Sequence, residues 1–239
     1  VPDSHSDTPR ASGSPVAKVE IAKVISAPFD ENTYVFHLAD RSDCIVFDPG
    51  LQPGAIEKLL DEQGLTPAAI LCTHGHSDHI AGNHALKKRW PEAPLLIGRG
   101  DASKLTDPVG NLSAGFGFEV LSPEADQTVV GGDVYEAAGM RWRVVDTPGH
   151  SAGHVSFLLE TPDGAVHAVA GDVLFRGSVG RTDFPDGDFE TLRESIHSQL
   201  FTLPDAAIVY PGHGPTTTVG EEKRNNPFVG KPSGWIEPS

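Results

Sequence analysis

"AAILCTHGHSDHIAGNHALKKRW" (residues 68–90) runs from an apolar segment, through His74, His76, Asp78 and His79 within six positions, into a segment with helical spacing. A short apolar run bounded by turn residues reads as a buried strand, and the stretch from His79 to Trp90 reads as a helix stopped by Pro91. In extended chain, side chains at i and i+2 point the same way. His74 and His76 can therefore reach one ion together, while the turn into the helix swings Asp78 and His79 toward a second position. Asp78 could instead cap that helix, but four coordinating side chains at this spacing favour metal.

A metal site that keeps an open position needs ligands from elsewhere. Three glycine-flanked segments supply them: "DTPGHSAGH" (146–154) with His150, "AVAGDVLF" (168–175) with Asp172, and "IVYPGHG" (208–214) with His213. Each is a polar residue at the exit of an apolar strand, where several strand ends can converge on one edge of a sheet. His154 and Asp48, in "FDPG", read either as braces for the ligand loops or as ordinary loop residues. His37, His84, His167 and His197 read as structural, and Trp90, Trp142 and Trp235 as packing.

Around these motifs the chain alternates short β-rich runs with helices. Strands are expected at 16–25, 33–39, 44–48, 68–72, 93–98, 117–121, 127–139, 140–149, 155–161, 165–175 and 206–214, with helices at 53–64, 79–90 and 188–204. The regular strand–helix alternation of a doubly wound parallel sheet is missing. Two mixed sheets flanked by helices, an α/β (α+β) architecture with two similar halves, fit better. Residues 1–15 read as a disordered tail, and 16–239 as one domain.

Composition narrows the function classes. The chain has 239 residues, with 18 Lys+Arg against 33 Asp+Glu, a formal net charge of −15. An acidic surface repels phosphate backbones, so no nucleic-acid partner is expected. No apolar run approaches the roughly 18 residues of a membrane span, and the N-terminus lacks a basic-then-apolar signal pattern. Cys44 and Cys72, both in apolar runs, read as small buried hydrophobes. A cytoplasmic, reducing location is the expectation, and the oligomeric state stays open.

"THGHSDH" (73–79), "TPGHSAGH" (147–154), "AGDVLF" (170–175) and "PGHG" (211–214), in that order, resemble the metallo-β-lactamase fold from about Val16 onward. The resemblance implies an αββα sandwich. It also implies that His74, His76 and His150 bind one metal, that Asp78, His79 and His213 bind another, and that Asp172 bridges them. Secreted antibiotic-degrading β-lactamases are less similar, because one type lacks a histidine beside the motif aspartate and another lacks the bridging aspartate. "FRGSVGRTDFPDGDFETL" (175–192) and "GHGPTTTVGEEKRNNP" (212–227) are closer to the short bacterial glyoxalase II-like hydrolases.

Imidazole and carboxylate ligands suit zinc or iron, with manganese possible, better than magnesium or calcium. The implied activity is dinuclear-metal hydrolysis of a thioester, S-lactoylglutathione or a related hydroxyacyl-thiol, with Asp78 in the catalytic set. Arg181 stands where larger glyoxalase II enzymes carry a basic residue against glutathione. Their appended helical domain has no counterpart here, and Pro215 sits where a tyrosine is expected soon after His213. Lys223 and Arg224 read as an exposed charged turn, or as substitutes for those contacts. The alternative is a mononuclear Fe(II) persulfide dioxygenase, which would use His74, His150 and Asp172.

Overall fold

The computed structural model describes residues 18–237, so the expected tail at 1–15 lies outside the described residues. The first half of the chain builds one six-stranded sheet from β1 (Val19–Ser26), β2 (Glu31–Leu38), β3 (Asp43–Phe47), β4 (Thr66–Cys72), β5 (Leu95–Gly98) and β6 (Gln127–Val129), in that spatial order. β1 to β3 are antiparallel and β3 to β6 run parallel. The second sheet has β7 (Val134–Ala137), β8 (Met140–Asp146), β9 (Val155–Glu160), β10 (Val166–Gly171), β13 (Ile208–Pro211) and β14 (Thr217–Thr218), β7 and β14 lying at its edges. A short hairpin, β11 (Leu174–Phe175) with β12 (Ser178–Val179), stands apart.

The inner strands β3, β4, β9 and β10 read as nearly continuous apolar runs because both of their faces are covered, whereas β1, β7 and β8 alternate exposed with more buried residues. Tyr34, Phe36 and Phe47 of the first sheet meet Trp142, Phe157 and Tyr210 of the second, in edge-on ring packing. On the outer face of the first sheet, Val35, Cys44, Val46 and Cys72 pack against α1 (Pro53–Gln63) and α3 (Asn83–Arg89) through Ile56, Leu60 and Leu86. The outer face of the second sheet is covered by α4 (Phe189–Ser195), its π-turn extension (Ile196–Leu200) and α5 (Val219–Asn225). The layers are therefore α, β, β, α, as the motif resemblance implied. Trp142 lies in this core, and Trp90 and Trp235 pack away from the strand ends.

Several expected elements differ. Residues 117–121 form no strand. Phe118 and Leu121 stay exposed, and the Val120 N–H is taken by the Ser113 hydroxyl at 3.0 Å rather than by a neighbouring strand. The 127–139 run splits into β6 and β7, which belong to different sheets, so the chain crosses between layers there. The helix after the first motif breaks into α2 (Ser77–Ile80) and α3 around Gly82. The charged turn at 221–224 lies within α5, and Lys223 is buried, its ammonium bound to Asp205 and Glu237.

Candidate metal centre

Four strand exits converge on one edge of the sandwich. β4 runs out at Cys72 into Thr73–His79, the β8–β9 loop carries His150, β10 ends at Asp172, and β13 leads through Gly212 to His213. Two glycines make the approach possible. A Cβ at Gly212 would run into the Asp172 carboxylate and the His79 ring, and one at Gly171, whose φ is +48°, would meet the Thr73 hydroxyl and the His154 ring.

The seven residues singled out as ligands meet. Ligand atoms of His74, His76 and His150 lie within 4.8 Å of one another, as do those of Asp78, His79 and His213, and those of His74, His79 and Asp172. Asp172 touches both outer groups: one carboxylate oxygen is 3.5 Å from His150 Nε2 and 3.4 Å from His213 Nε2, and the other is 3.5 Å from His79 Nε2. Asp78 sits in the first turn of α2 and makes no capping bond; its carboxylate is 3.3 Å from His213 Nε2.

The rings are oriented from behind. His79 Nδ1 donates to Asp48 at 3.1 Å, His150 Nδ1 to the Arg181 carbonyl at 2.7 Å, and His213 Nδ1 to the Phe29 carbonyl at 3.0 Å. His74 Nδ1 lies 3.1 Å from the Thr73 hydroxyl. Each arrangement leaves Nε2 facing inward, the usual division of labour in a metal-bound imidazole. His76 instead turns Nδ1 toward His150 Nε2, 2.9 Å away. Asp48 is a brace as well as a turn residue, since it also accepts the Thr73 N–H and hydroxyl at 2.7 and 2.8 Å. His154 accepts the Asp172 N–H at 3.2 Å, with its Nδ1 on the Thr147 hydroxyl, and stacks on His74.

These residues fit a metal. Buried polar atoms are ordinarily hydrogen-bonded, yet His74 Nε2, His76 Nε2, His79 Nε2 and one Asp172 oxygen have no partner. Burial pushes the His74 and His150 imidazoles down and His76 down to about 3, which keeps them in the neutral form that a metal requires. At Asp172 and Asp78 burial is outweighed by pairing with the His79 and His213 rings, which lowers both carboxyls and raises both imidazoles, His213 to about 10, so a cation at this end would have to displace protons from those two rings.

Of the other expected residues, Arg181 lines the cleft above this cluster, but its guanidinium is exposed and committed to Asp183 at 2.8 and 2.9 Å. His84 is exposed, His37 and His197 bond to backbone carbonyls, and His167 pairs with the Tyr210 hydroxyl. One residue escaped the sequence reading. Asp101, fully buried in the 3-10 segment Arg99–Thr106, accepts the Gly75 N–H at 2.8 Å and the Gly153 N–H at 2.9 Å, and so ties the first ligand loop to the His150 loop. The signal that picked out Asp172, a polar residue just past a buried strand, applies equally to Asp101.

Residues 27–213 match the model of the metallo-beta-lactamase superfamily. The chain is 38% identical over 203 residues to a probable metallo-hydrolase, YqgX, of Bacillus subtilis, covering 84% of this chain and 93% of that one. It is 33% identical over 197 residues to the hydroxyacylglutathione hydrolase GloC of Haemophilus influenzae, covering 81% and 91%. Among solved structures, the BLEG-1 B3 metallo-beta-lactamase superposes with a TM-score of 0.82 at 34% identity, covering 88% of this chain and 99% of that one. TTHA1623 in a di-iron-bound form does so with 0.74 at 34%, covering 87% and 100%. Among the described residues no helix is long and apolar enough to cross a membrane.

Proposed function

The chain belongs to the metallo-beta-lactamase superfamily, and from that premise we propose that it is a dinuclear-metal hydrolase of thioesters, S-lactoylglutathione or a related hydroxyacyl-thiol being the reference substrate. The observation that carries this reading is Asp172, whose two carboxylate oxygens reach histidines of both outer ligand groups. His74, His76 and His150 would hold one divalent ion, Asp78, His79 and His213 the other, and Asp172 would serve both. Zinc and iron suit these donors, manganese less closely, and the likeness to a di-iron-bound structure supports a pair.

When bound, such ions would acidify water to a pKa of about 7 and polarise the substrate carbonyl. The protein's own part is positional. The Nδ1 anchors on Asp48, the Arg181 carbonyl and the Phe29 carbonyl fix the imidazoles. Asp78 and Asp172 both line the cleft, and we assign to Asp78 the proton given up by the attacking water. A thioester suits a cleft without a strong acid, since a thiol of pKa about 8.5 leaves readily as thiolate.

A paired assay tests the reading. Protein of measured metal content is given S-lactoylglutathione without oxygen, or glutathione persulfide with oxygen. Thiol release from the first, with two metals per chain, is the expected result. Oxygen consumption with about one iron per chain would favour the second reading, an Fe(II) persulfide dioxygenase. That reading draws on His74, His150 and Asp172 as a two-histidine, one-carboxylate subset.

A further inference from the structure

The cleft above the ligand cluster has a volume of about 290 Å³, and its largely apolar walls include four phenylalanines among twelve lining residues. That is near the lower end of the roughly 300–1,000 Å³ of small-molecule sites. Phe184 packs edge-on to His76 and His150, with ring centres 5.1 and 5.6 Å apart, and Phe175 lies 6.1 Å from His213. Each ligand group thus has a phenyl ring beside it. Farther out, Phe29 and Phe116 meet edge to face at 5.0 Å, with Leu112 alongside in the lining.

This wall is built, not incidental. Leu112 holds a φ of +69°, rare for a side-chain-bearing residue, on a loop clamped by Asn111. The Asn111 amide donates to the carbonyls of Lys104 and Val120, and its oxygen accepts the Ser113 N–H and hydroxyl. The Asn111 backbone carbonyl in turn takes the Ser77 N–H at 2.9 Å, hooking the wall directly to the helix that carries Asp78 and His79.

Charge recognition is scarce by comparison. Among the described residues lining the cleft, Arg181 is the one cation, and Asp183 already occupies its Nε and Nη2. Its guanidinium lies 4.6 Å over the Phe184 ring, part of the same aromatic wall. Lys223 and Arg224 are engaged with Asp205 and other carboxylates outside the cleft. A glutathionyl group brings two carboxylates and one ammonium, a net negative charge, and the chain's formal charge of −15 adds a repulsive field.

We propose that the preferred substrates of this site are thioesters of a compact aromatic or branched apolar acyl group on an uncharged thiol, the acyl group lying among Phe29, Phe116, Phe175 and Phe184. This rests on the hydrolase reading above. The reaction is redox-neutral. Water's oxygen forms the new bond to the acyl carbon and the C–S bond breaks. Sulfur leaves with the electron pair and is protonated to the thiol, and the acid product ionises to carboxylate.

The test crosses acyl group with carrier. Metal-loaded protein is assayed for thiol release from phenylacetyl and acetyl thioesters of N-acetylcysteamine, phenylacetyl-glutathione and S-lactoylglutathione. An apolar group matched to a pocket discriminates by about 10–200-fold. The expected result is a kcat/KM at least about tenfold higher for phenylacetyl than for acetyl on the neutral carrier, with no gain from a glutathione carrier. Phe116→Ala, at a residue 56% exposed, should narrow the phenylacetyl-over-acetyl ratio. Calorimetry with the ketone analogue, CH2 replacing sulfur, should show the same preference without turnover, with a negative heat-capacity change. A tenfold advantage for S-lactoylglutathione over the phenylacetyl substrate would overturn this inference and leave the hydrolase reading standing. Failure of all four thioesters in protein with both metals bound would overturn both.

Discussion

Replacing Asp101 by asparagine should loosen two ligand loops at once while touching no metal ligand. The buried Asp101 carboxylate accepts four donors: the Gly75 N–H and the Ser151 hydroxyl on one oxygen, the Gly153 N–H and the Lys104 ammonium, at 3.2 Å, on the other. An asparagine can keep its oxygen toward only one of these pairs. Its NH2 group must then face at least one backbone N–H, which costs that hydrogen bond, and the negative charge of a buried ion pair is lost in either orientation. Breaking such a pair costs about 3–5 kcal/mol. The lower end applies here, because Lys104 keeps Asp186 at 2.6 Å as a second partner. About 3 kcal/mol corresponds to a fall in Tm of roughly 6–12 °C for a chain of this size. Gly75 lies between His74 and His76, and Ser151 follows His150, so the loss should also reach the metals. Outer-shell partners are worth about 10–100-fold in metal affinity. Thermal melts of metal-free and metal-loaded protein, with competition against a chromophoric chelator, measure both effects. Asp61→Asn removes an exposed partner of Arg89 and should stay within about 1 kcal/mol as the control. A Tm and a metal affinity equal to wild type in Asp101→Asn would refute the reasoning.

Four further substitutions bear on the site. Asp172→Ala should lower metal content from two ions toward one and cut turnover by at least about 100-fold; two metals with full activity, by metal analysis and steady-state kinetics, would remove Asp172 from its bridging role. Gly212→Ala should cost metal occupancy more than stability, because the new Cβ displaces the Asp172 carboxylate and the His79 ring and not the apolar core; elemental analysis beside a melting curve separates the two. Arg181→Ala should change KM for S-lactoylglutathione by less than about threefold, since an exposed pair is worth about 0–1 kcal/mol. Asp183→Asn, which frees the guanidinium, should lower that KM, and a large rise in KM with Arg181→Ala would instead establish a direct contact with the thiol carrier.

The convergence of the seven candidate ligands was legible in the sequence because each carries a local mark. His74 to His79 are packed into one turn, and His150, Asp172 and His213 each follow a buried apolar run beside a glycine, so the chemistry sits where the strand pattern stops. Two mixed sheets flanked by helices were legible because helices are interspersed among many strand-like runs, whereas the αββα order of the layers came from the motif resemblance. The cleft wall has no such mark. Phe29, Phe116 and the stretch that carries Phe175 and Phe184 come from three separate segments, and nothing in the residues around any of them marks it as part of one wall. The stretch 117–121 shows how the same blindness produces an error. Phe116, Phe118 and Val120 alternate as a half-buried strand should, yet Phe116 faces the cleft, Phe118 stays partly in solvent and only Val120 is buried. Period-two alternation reports that one side of a segment meets apolar surroundings; it does not distinguish a sheet partner from a substrate. An aromatic loop that imitates a strand but forms no ladder, fastened by Asn111 to the helix of the metal ligands, is how a binding wall differs physically from a core.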